Sequence, residues 1–450
     1  MESPSARSEP YKAKAWWWAR IKIGLRARLT RLGAPGALLL RGYRTGRWFA
    51  HRARWKFATL LSPSVRNVAK LGIDIDRVYW VDPATIRRCS GREFSLQTFK
   101  GRVIGGDWDV SAKNFEDLDI YLAMKQVCVE GGDWKNTHFY RNVLERVNDG
   151  EPLWGCRNPQ ELDQRLGYLQ ALFKSIKEEG WKTQEELRRA RGTAPRADDD
   201  EVAVCIGRHG DLLFSDGAHR LTAAKLLRVP RIPVRVSVRH PDWTAFRKEL
   251  LLYANDNGGT LYQPALHPDL ENVPAFHDCD DRFRAIRDHL SAKQGNLLDI
   301  GANFGYFCHR FEDEGFTCHA SENWPRELYF LRKLRAIGKK NFAILDESVL
   351  TCEKVRETKF DVVLALSVFH HFLKTRESFD LFVDMLRHLH TEEIFFQPHL
   401  PEDPQMRDVY RNLGNEEFVL LVQNNTGLQH CQLIGEFLEG RKLYRLSKGG

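Results

Sequence analysis

The run Leu297-Leu298-Asp299-Ile300-Gly301-Ala302-Asn303-Phe304-Gly305-Tyr306-Phe307 constrains this chain more than any other stretch. A short apolar segment meets a turn flanked by two glycines, and a segment fit for a helix comes next. The pattern predicts a buried strand, a tight turn and a helix. Glycine has no Cβ and tolerates φ > 0, so a backbone of this shape can approach a nucleotide-like ligand closely. In an open α/β sheet that ligand lies beyond the carboxyl end of the strand, near the helix N-terminus.

The residues beyond Phe307 extend the pattern. Strands are expected at 297–300, 316–321, 342–345, 361–366 and 393–397, and helices at 305–314, 325–337 and 378–389. Strands alternating with helices predict a parallel α/β sheet. Cys431–Glu436 and Lys442–Leu446 read as a hairpin around Glu439-Gly440-Arg441. Asp299 ends the first strand, and Glu322 ends the second, where a carboxylate can accept hydrogen bonds from two ribose hydroxyls. Asp346 comes after the third strand, placed to meet an adenine amino group. The fourth strand ends in Leu366-Ser367-Val368-Phe369-His370-His371.

These residues, in this order, resemble the class I S-adenosylmethionine-dependent methyltransferases over residues 281–450. The resemblance implies a Rossmann-like domain whose sheet is mostly parallel with an antiparallel last strand. It implies that Asp299, Gly301 and Gly305 line the methionine and ribose side, that Glu322 holds the ribose, and that Asp346 lies near adenine. Asn303 stands where the commoner pattern has a glycine, and asparagine tolerates the left-handed region better than most residues. A nicotinamide dinucleotide site would show Gly-x-Gly-x-x-Gly, whereas here the glycines are spaced Gly-x-x-x-Gly. A degenerate copy that binds nothing is the other alternative.

Enzymes of this family that methylate exocyclic amines or amides resemble one another in an Asn/Asp-Pro-Pro-aromatic turn after strand four. This chain has Ser367 to His371 there instead. It therefore looks more like enzymes acting on small molecules or sugars. His370 or His371 can take a proton from a hydroxyl as the methyl group moves, since an imidazole titrates near neutrality. Either can equally be a helix-start residue that shapes a pocket. His399, in Gln397-Pro398-His399, is a further candidate.

A second constellation is Ser215-Asp216-Gly217-Ala218-His219-Arg220, between an expected hairpin (201–214) and a helix from Ala218 to Leu227. Asp216 can cap that helix. His219 and Arg220 then stand on its first turn beside free backbone N–H groups, which suits phosphate. With the Val81-Asp82-Pro83…Ile86 entry strand and the strand from Pro230 to Val238, this resembles the α+β ParB/sulfiredoxin-like fold over about 76–240, carrying a helical insertion. That likeness implies phosphate or nucleotide binding through Asp216, Gly217, His219 and Arg220. Ala218 stands where the sulfinate reductases need a cysteine, which argues against that chemistry. Asp107 and Asp109, in Gly105-Gly106-Asp107-Trp108-Asp109, are possible carboxylates for Mg²⁺ or a substrate hydroxyl. The bland reading makes them a strand-to-helix turn. ATP with Mg²⁺ is accordingly a second cofactor expectation.

At 450 residues two or three domains are expected. Nine Cys with no C-x-x-C pair suggest neither a zinc nor a redox motif, and their scatter fits reduced thiols in a cytoplasmic protein. No metal site is expected. The net charge of +8 is unevenly placed: residues 1–70 hold sixteen Lys/Arg against Glu2 and Glu9. Trp16-Trp17-Trp18 and Ile21, Leu25, Leu29 and Leu32 alternate there with Arg20, Lys22, Arg26, Arg28 and Arg31. Such a segment suits an in-plane membrane-surface helix, and residues 12–56 are the expected contact. Packing on the acidic remainder of the chain is the rival explanation, and nucleic acid is the least favoured partner.

The sequence thus predicts a basic N-terminal segment (1–70), a ParB/sulfiredoxin-like domain (76–250), a linker or lid (251–280) and a methyltransferase domain (281–450). The expected substrate is a small-molecule, sugar or lipid-linked acceptor, methylated on oxygen or nitrogen. The expected location is cytoplasmic, with peripheral attachment at the inner face of the membrane through residues 12–56. Two other classes stay open: a small-molecule kinase or phosphate-transfer enzyme, and a non-catalytic, nucleotide-regulated membrane or DNA adaptor.

Overall fold

The computed structural model describes residues 73–74, 77–90, 101–110, 113–149, 156–191, 201–438 and 440–449. The basic segment, and with it the membrane expectation for residues 12–56, lies outside them, as do residues 192–200 and Glu439. Among the described residues no helix is long and apolar enough to cross a membrane. The fold is α/β with two sheets. The chain divides into two compact units, one reaching Gly207 and resuming over Leu212–Pro241, the other comprising Arg208–Asp211 and Asp242–Gly450.

The first unit holds β1 (Tyr79–Val81), β2 (Arg88–Cys89), β3 (Arg102–Val103), β4 (Val202–Ile206), β5 (Leu212–Asp216) and β6 (Ile232–Arg239). Their order is β1-β6-β4-β5-β2, with β3 also on β6. All five residues of β4 are buried, as an unbroken apolar run requires when both faces are covered. Four helices, α1 (Asp119–Met124), α2 (His138–Asn148), α3 (Pro159–Glu179) and α4 (Gln184–Arg191), are inserted before β4. Helix α3 starts where Asn158 Oδ1 accepts the Glu161 N–H at 2.8 Å, with Pro159 in the first turn. It buries Leu162, Leu166, Leu169, Phe173 and Ile176 at helical spacing. Those side chains join Ile120, Met124, Phe139 and Val143 in one apolar cluster. Helix α5 (Ala218–Leu226) comes after β5.

The entry strand read at Val81…Ile86 ends instead at Val81, where Asp82 Oδ1 accepts the Ala84 N–H at 2.8 Å and starts a 3-10 turn. Strand β3 is only Arg102–Val103, and beyond it Gly106 takes φ +95°.

The second unit begins with α6 (Pro241–Asp256) and α7 (Cys279–His289). It continues as β7 (Asn296–Ile300), α8 (Tyr306–Asp313), β8 (Thr317–Ser321), α9 (Pro325–Ile337), β9 (Ala343–Leu345), α10 (Glu353–Glu357), β10 (Phe360–Leu366), α11 (Arg376–His388), β11 (Thr391–Gln397), α12 (Asn415–Thr426), β12 (His430–Phe437) and β13 (Arg441–Ser447). The sheet order is β12-β13-β11-β10-β7-β8-β9. Five strands are parallel, and β13 runs antiparallel to both β11 and β12. The period of two along each strand divides the core. Leu298, Val363, Ile394 and Phe396 enter one apolar cluster with α11 and α12. Leu297, Val362, Leu364 and Phe395 enter the other with Phe283, Phe307 and Leu331. The chain runs outward from β7 to β8 and β9, then returns to β10 on its other side. That reversal between β7 and β10 opens a crevice at their carboxyl ends.

Candidate active site at the sheet reversal

A cavity of about 410 Å³ lies at that crevice, within the size range of small-molecule sites. Its lining includes Ile300, Gly301 and Asn303 after β7, Ser321 and Glu322 after β8, and Leu366, Ser367 and Val368 after β10. Gly301 has φ +72°, and a Cβ there would stand 2.7 Å from Val368 Cγ2. Gly305 has φ +79° and begins α8, with Leu331 Cδ1 at 2.6 Å from where its Cβ would be. Neither position tolerates a side chain, which is why the turn is built on glycine. Asn303 is left-handed at φ +52°, the conformation expected of it.

Glu322 is 7% exposed. Its Oε2 accepts the Asn303 N–H at 3.0 Å, and its Oε1 accepts the Asn323 and Trp324 N–H groups, each at 2.9 Å. Burial pushes its pKa up while these three donors pull it down. The carboxylate is thus oriented before any ligand arrives. Asn303 Oδ1 is buried without a hydrogen-bond partner beside it. Asp299 is 2% exposed, and it is not among the residues that line the cavity. Burial and the neighbouring Glu322 carboxylate push its pKa up to about 7, against a pull from Arg282.

Asp346 departs from its expected place. It is exposed and paired with Arg332 at 2.5 Å, and the cavity wall after β9 is made by Ser348 and Val349 instead. The carboxylate meets Arg332 of α9 at the surface, where both side chains are exposed. The two histidines also part. His371 lines the cavity, and the surrounding walls with the Lys374 charge lower its pKa to about 4. His370 is 3% exposed and outside the lining, so its direct contact with an acceptor is not what the geometry favours. Its ring lies 4.1 Å from that of His371 and 5.6 Å from that of His399. Burial and those two rings lower its pKa to about 3.

Sequence reasoning missed several wall residues. Trp324 and Phe372 line the cavity, as does Glu327, whose Oε1 accepts the Tyr253 hydroxyl at 2.8 Å. Tyr262, in the expected lid, reaches the cavity as well. The neighbouring Gln263 Oε1 accepts the Tyr306 N–H at 3.3 Å at the start of α8. In residues 251–280 an isolated bridge joins Leu261 to Ala275, and Leu261 and Leu270 are buried.

In the first unit, Gly217 (φ +89°) rather than Asp216 is the residue preceding α5, and Asp216 Oδ1 accepts the Gly217 N–H at 2.7 Å. Arg220 is paired with Glu201 at 2.8 Å and lies over the Trp181 ring, so its charge is directed to a protein carboxylate. Burial and Arg165 lower the His219 pKa to about 4. Asp107 is exposed and Asp109 buried. Among the described residues no group of three or more His, Cys, Asp or Glu side chains is placed to hold a metal.

Searched against curated proteins, the chain finds no match. Among solved structures it is similar to the bifunctional kinase-methyltransferase WbdD, at 21% identity and a TM-score of 0.36, over 44% of this chain and 46% of that one. It is also similar to the N-terminal domain of EvdMO1 with SAH bound, at 17% identity and a TM-score of 0.34, over 45% of this chain and 96% of that one. The match spans less than half the length of WbdD, and neither likeness carries the functional argument. The region from β7 into β11 does: residues 298–395 match the family described as "Methyltransferase domain". The chain therefore carries a methyltransferase domain, which implies S-adenosylmethionine as its cofactor.

Proposed function

We propose that the protein transfers a methyl group from S-adenosylmethionine to an oxygen or nitrogen of a small-molecule, sugar or lipid-linked acceptor. The observation that carries this is the cavity at the β7/β10 reversal, where the glycine turn meets the Glu322 carboxylate. The residues fit the donor. Glu322 keeps lone pairs for a diol while three backbone N–H groups fix its orientation. Gly301, Asn303 and Gly305 shape the turn beside it, Asp299 stands on β7 just before that turn, and Ser348 and Val349 form the wall beyond.

The cofactor, when bound, supplies a methyl group on a sulfonium and so brings the reactive chemistry with it. The chain's own task is then to position the acceptor and exclude water. Leu366, Ser367, Val368, His371 and Phe372 form the opposite wall, on which the acceptor would rest. His371, neutral at physiological pH, can take a proton from an attacking hydroxyl.

Calorimetry with S-adenosylmethionine tests the reading. Wild type should give saturable heat and Glu322→Ala should lose most of it. No heat from the wild type would sink the proposal.

A further inference from the structure

We propose that Gln397 is a positioning residue for this methyl transfer, its amide clamping the left-handed Ser367 turn and so setting the wall that faces the donor turn. The inference rests on the methyl-transfer reading of the cavity.

Gln397 ends β11 and is fully buried, at 0% exposure. It holds Ser367 twice. Its backbone carbonyl accepts the Ser367 N–H at 3.0 Å, and its Oε1 accepts the Ser367 hydroxyl at 3.1 Å. The same Oε1 accepts an N–H of Arg282, on α7, at 3.0 Å, while Nε2 donates to the Arg441 carbonyl at 3.4 Å. Two donors converge on one oxygen and an acceptor faces the nitrogen, so the amide has a single satisfactory orientation. Three elements, α7, β10 and β13, thereby meet at one side chain.

What the clamp holds is strained. Ser367 has φ +55°, a region that a non-glycine residue enters only when its surroundings impose it. The next residue, Val368, packs close to the donor turn, with its Cγ2 2.7 Å from where a Gly301 Cβ would stand. Ser367 and Val368 line the cavity after β10, on one side of β7, and Glu322 lines it after β8, on the other. A shift of the Ser367 turn would therefore alter the wall beside Gly301. A fully buried amide is costly unless each polar atom is paired, and here the pairing runs to Ser367, which with Asn303 is one of two left-handed non-glycine residues in the wall.

The test is titration of S-adenosylmethionine by calorimetry, with folding checked by near-ultraviolet circular dichroism. Gln397→Leu should weaken binding by about tenfold or more, the loss expected when buried donors are left unmade. Gln397→Glu keeps an acceptor for Ser367 and Arg282 but sets a carboxylate oxygen against the Arg441 carbonyl, so its affinity should fall between those of wild type and Gln397→Leu. In a Ser367→Gly background the left-handed turn carries no strain, so adding Gln397→Leu should change the affinity by less than about threefold. Equal losses in both backgrounds, or none in either, would overturn the clamp. Where Gln397→Leu does not fold, Ser367→Ala against Ser367→Gly decides. Both delete the hydroxyl but only glycine relieves the turn, so the glycine variant must bind more tightly, and the reverse order overturns the proposal. A wild type without heat would instead remove the methyl-transfer reading on which it rests.

Discussion

The Asn303 N–H donates to Glu322 Oε2 at 3.0 Å, joining the turn after β7 to the end of β8 across the cavity floor. Two further N–H groups, from Asn323 and Trp324, complete the hold on the carboxylate. Removing the carboxylate frees three donors and deletes the candidate diol acceptor. Glu322→Ala should weaken S-adenosylmethionine binding by about ten- to a hundredfold, the range for hydrogen bonds to a charged group. Glu322→Gln should fall between, since its NH₂ must face at least one backbone N–H. Calorimetric dissociation constants for the three proteins check the order.

Asp299 gives the fold a pH dependence of unusual sign for an aspartate. Its folded pKa is raised to about 7 by burial and by Glu322, well above its ordinary 3.8. Between those values the folded state binds the extra proton, so stability falls as pH rises. The contribution is fully present below about pH 4 and lost by the time pH has passed through about 7. Asp299→Asn should flatten this slope, raising the thermal midpoint at pH 8 relative to wild type with little change at pH 4. A parallel pair of curves for the two proteins would refute it.

The parallel part of the second sheet was legible because its strands are unbroken apolar runs separated by helices, and β10 and β11 appear within two residues of their expected bounds. The missed helices have different physics. Helix α7 carries three Asp and three Arg in Cys279–His289, so its buried stripe of Cys279, Phe283 and Ile286 is hidden among charges. Helix α6 buries Trp243, Phe246, Arg247, Leu250, Tyr253 and Ala254, an apolar face interrupted by an arginine. In the site, Glu322 was readable because a strand end leaves its side chain few directions. Asp346 was not, because its outward placement beside Arg332 of α9 is a matter of tertiary geometry.

That displacement makes a discriminating prediction. Asp346→Asn removes an exposed ion pair, worth little at a surface. Affinity for S-adenosylmethionine should stay within about twofold. A large loss would mean the carboxylate turns inward to meet the donor, and calorimetry on this one variant decides.

Gly301 tests the close approach of the two walls. Gly301→Ala adds a Cβ at φ +72°, 2.7 Å from Val368 Cγ2. Left-handed strain and overpacking together should cost about 2–4 kcal/mol of unfolding free energy. Val368→Ala removes the 2.7 Å clash but leaves its own Cβ at 3.2 Å and the backbone strain, so the double variant should recover part of the loss. Urea denaturation of the four proteins gives the coupling, and strict additivity would show that the walls do not touch as described.

His371 should announce itself in the pH profile of transfer. Only the neutral imidazole can accept a proton, and the cavity walls with Lys374 hold its pKa near 4. Methyl transfer from labelled S-adenosylmethionine should therefore show no histidine inflection between pH 6 and 8, and should fall only as pH drops toward 4. Lys374→Ala removes a positive charge that disfavours the imidazolium, so the histidine pKa rises and the acid limb must move to higher pH. His371→Ala should lower kcat by about a hundredfold or more if the ring acts as general base, with little change in donor affinity. A Lys374→Ala limb that stays in place while His371→Ala keeps wild-type kcat would reduce His371 to a wall residue.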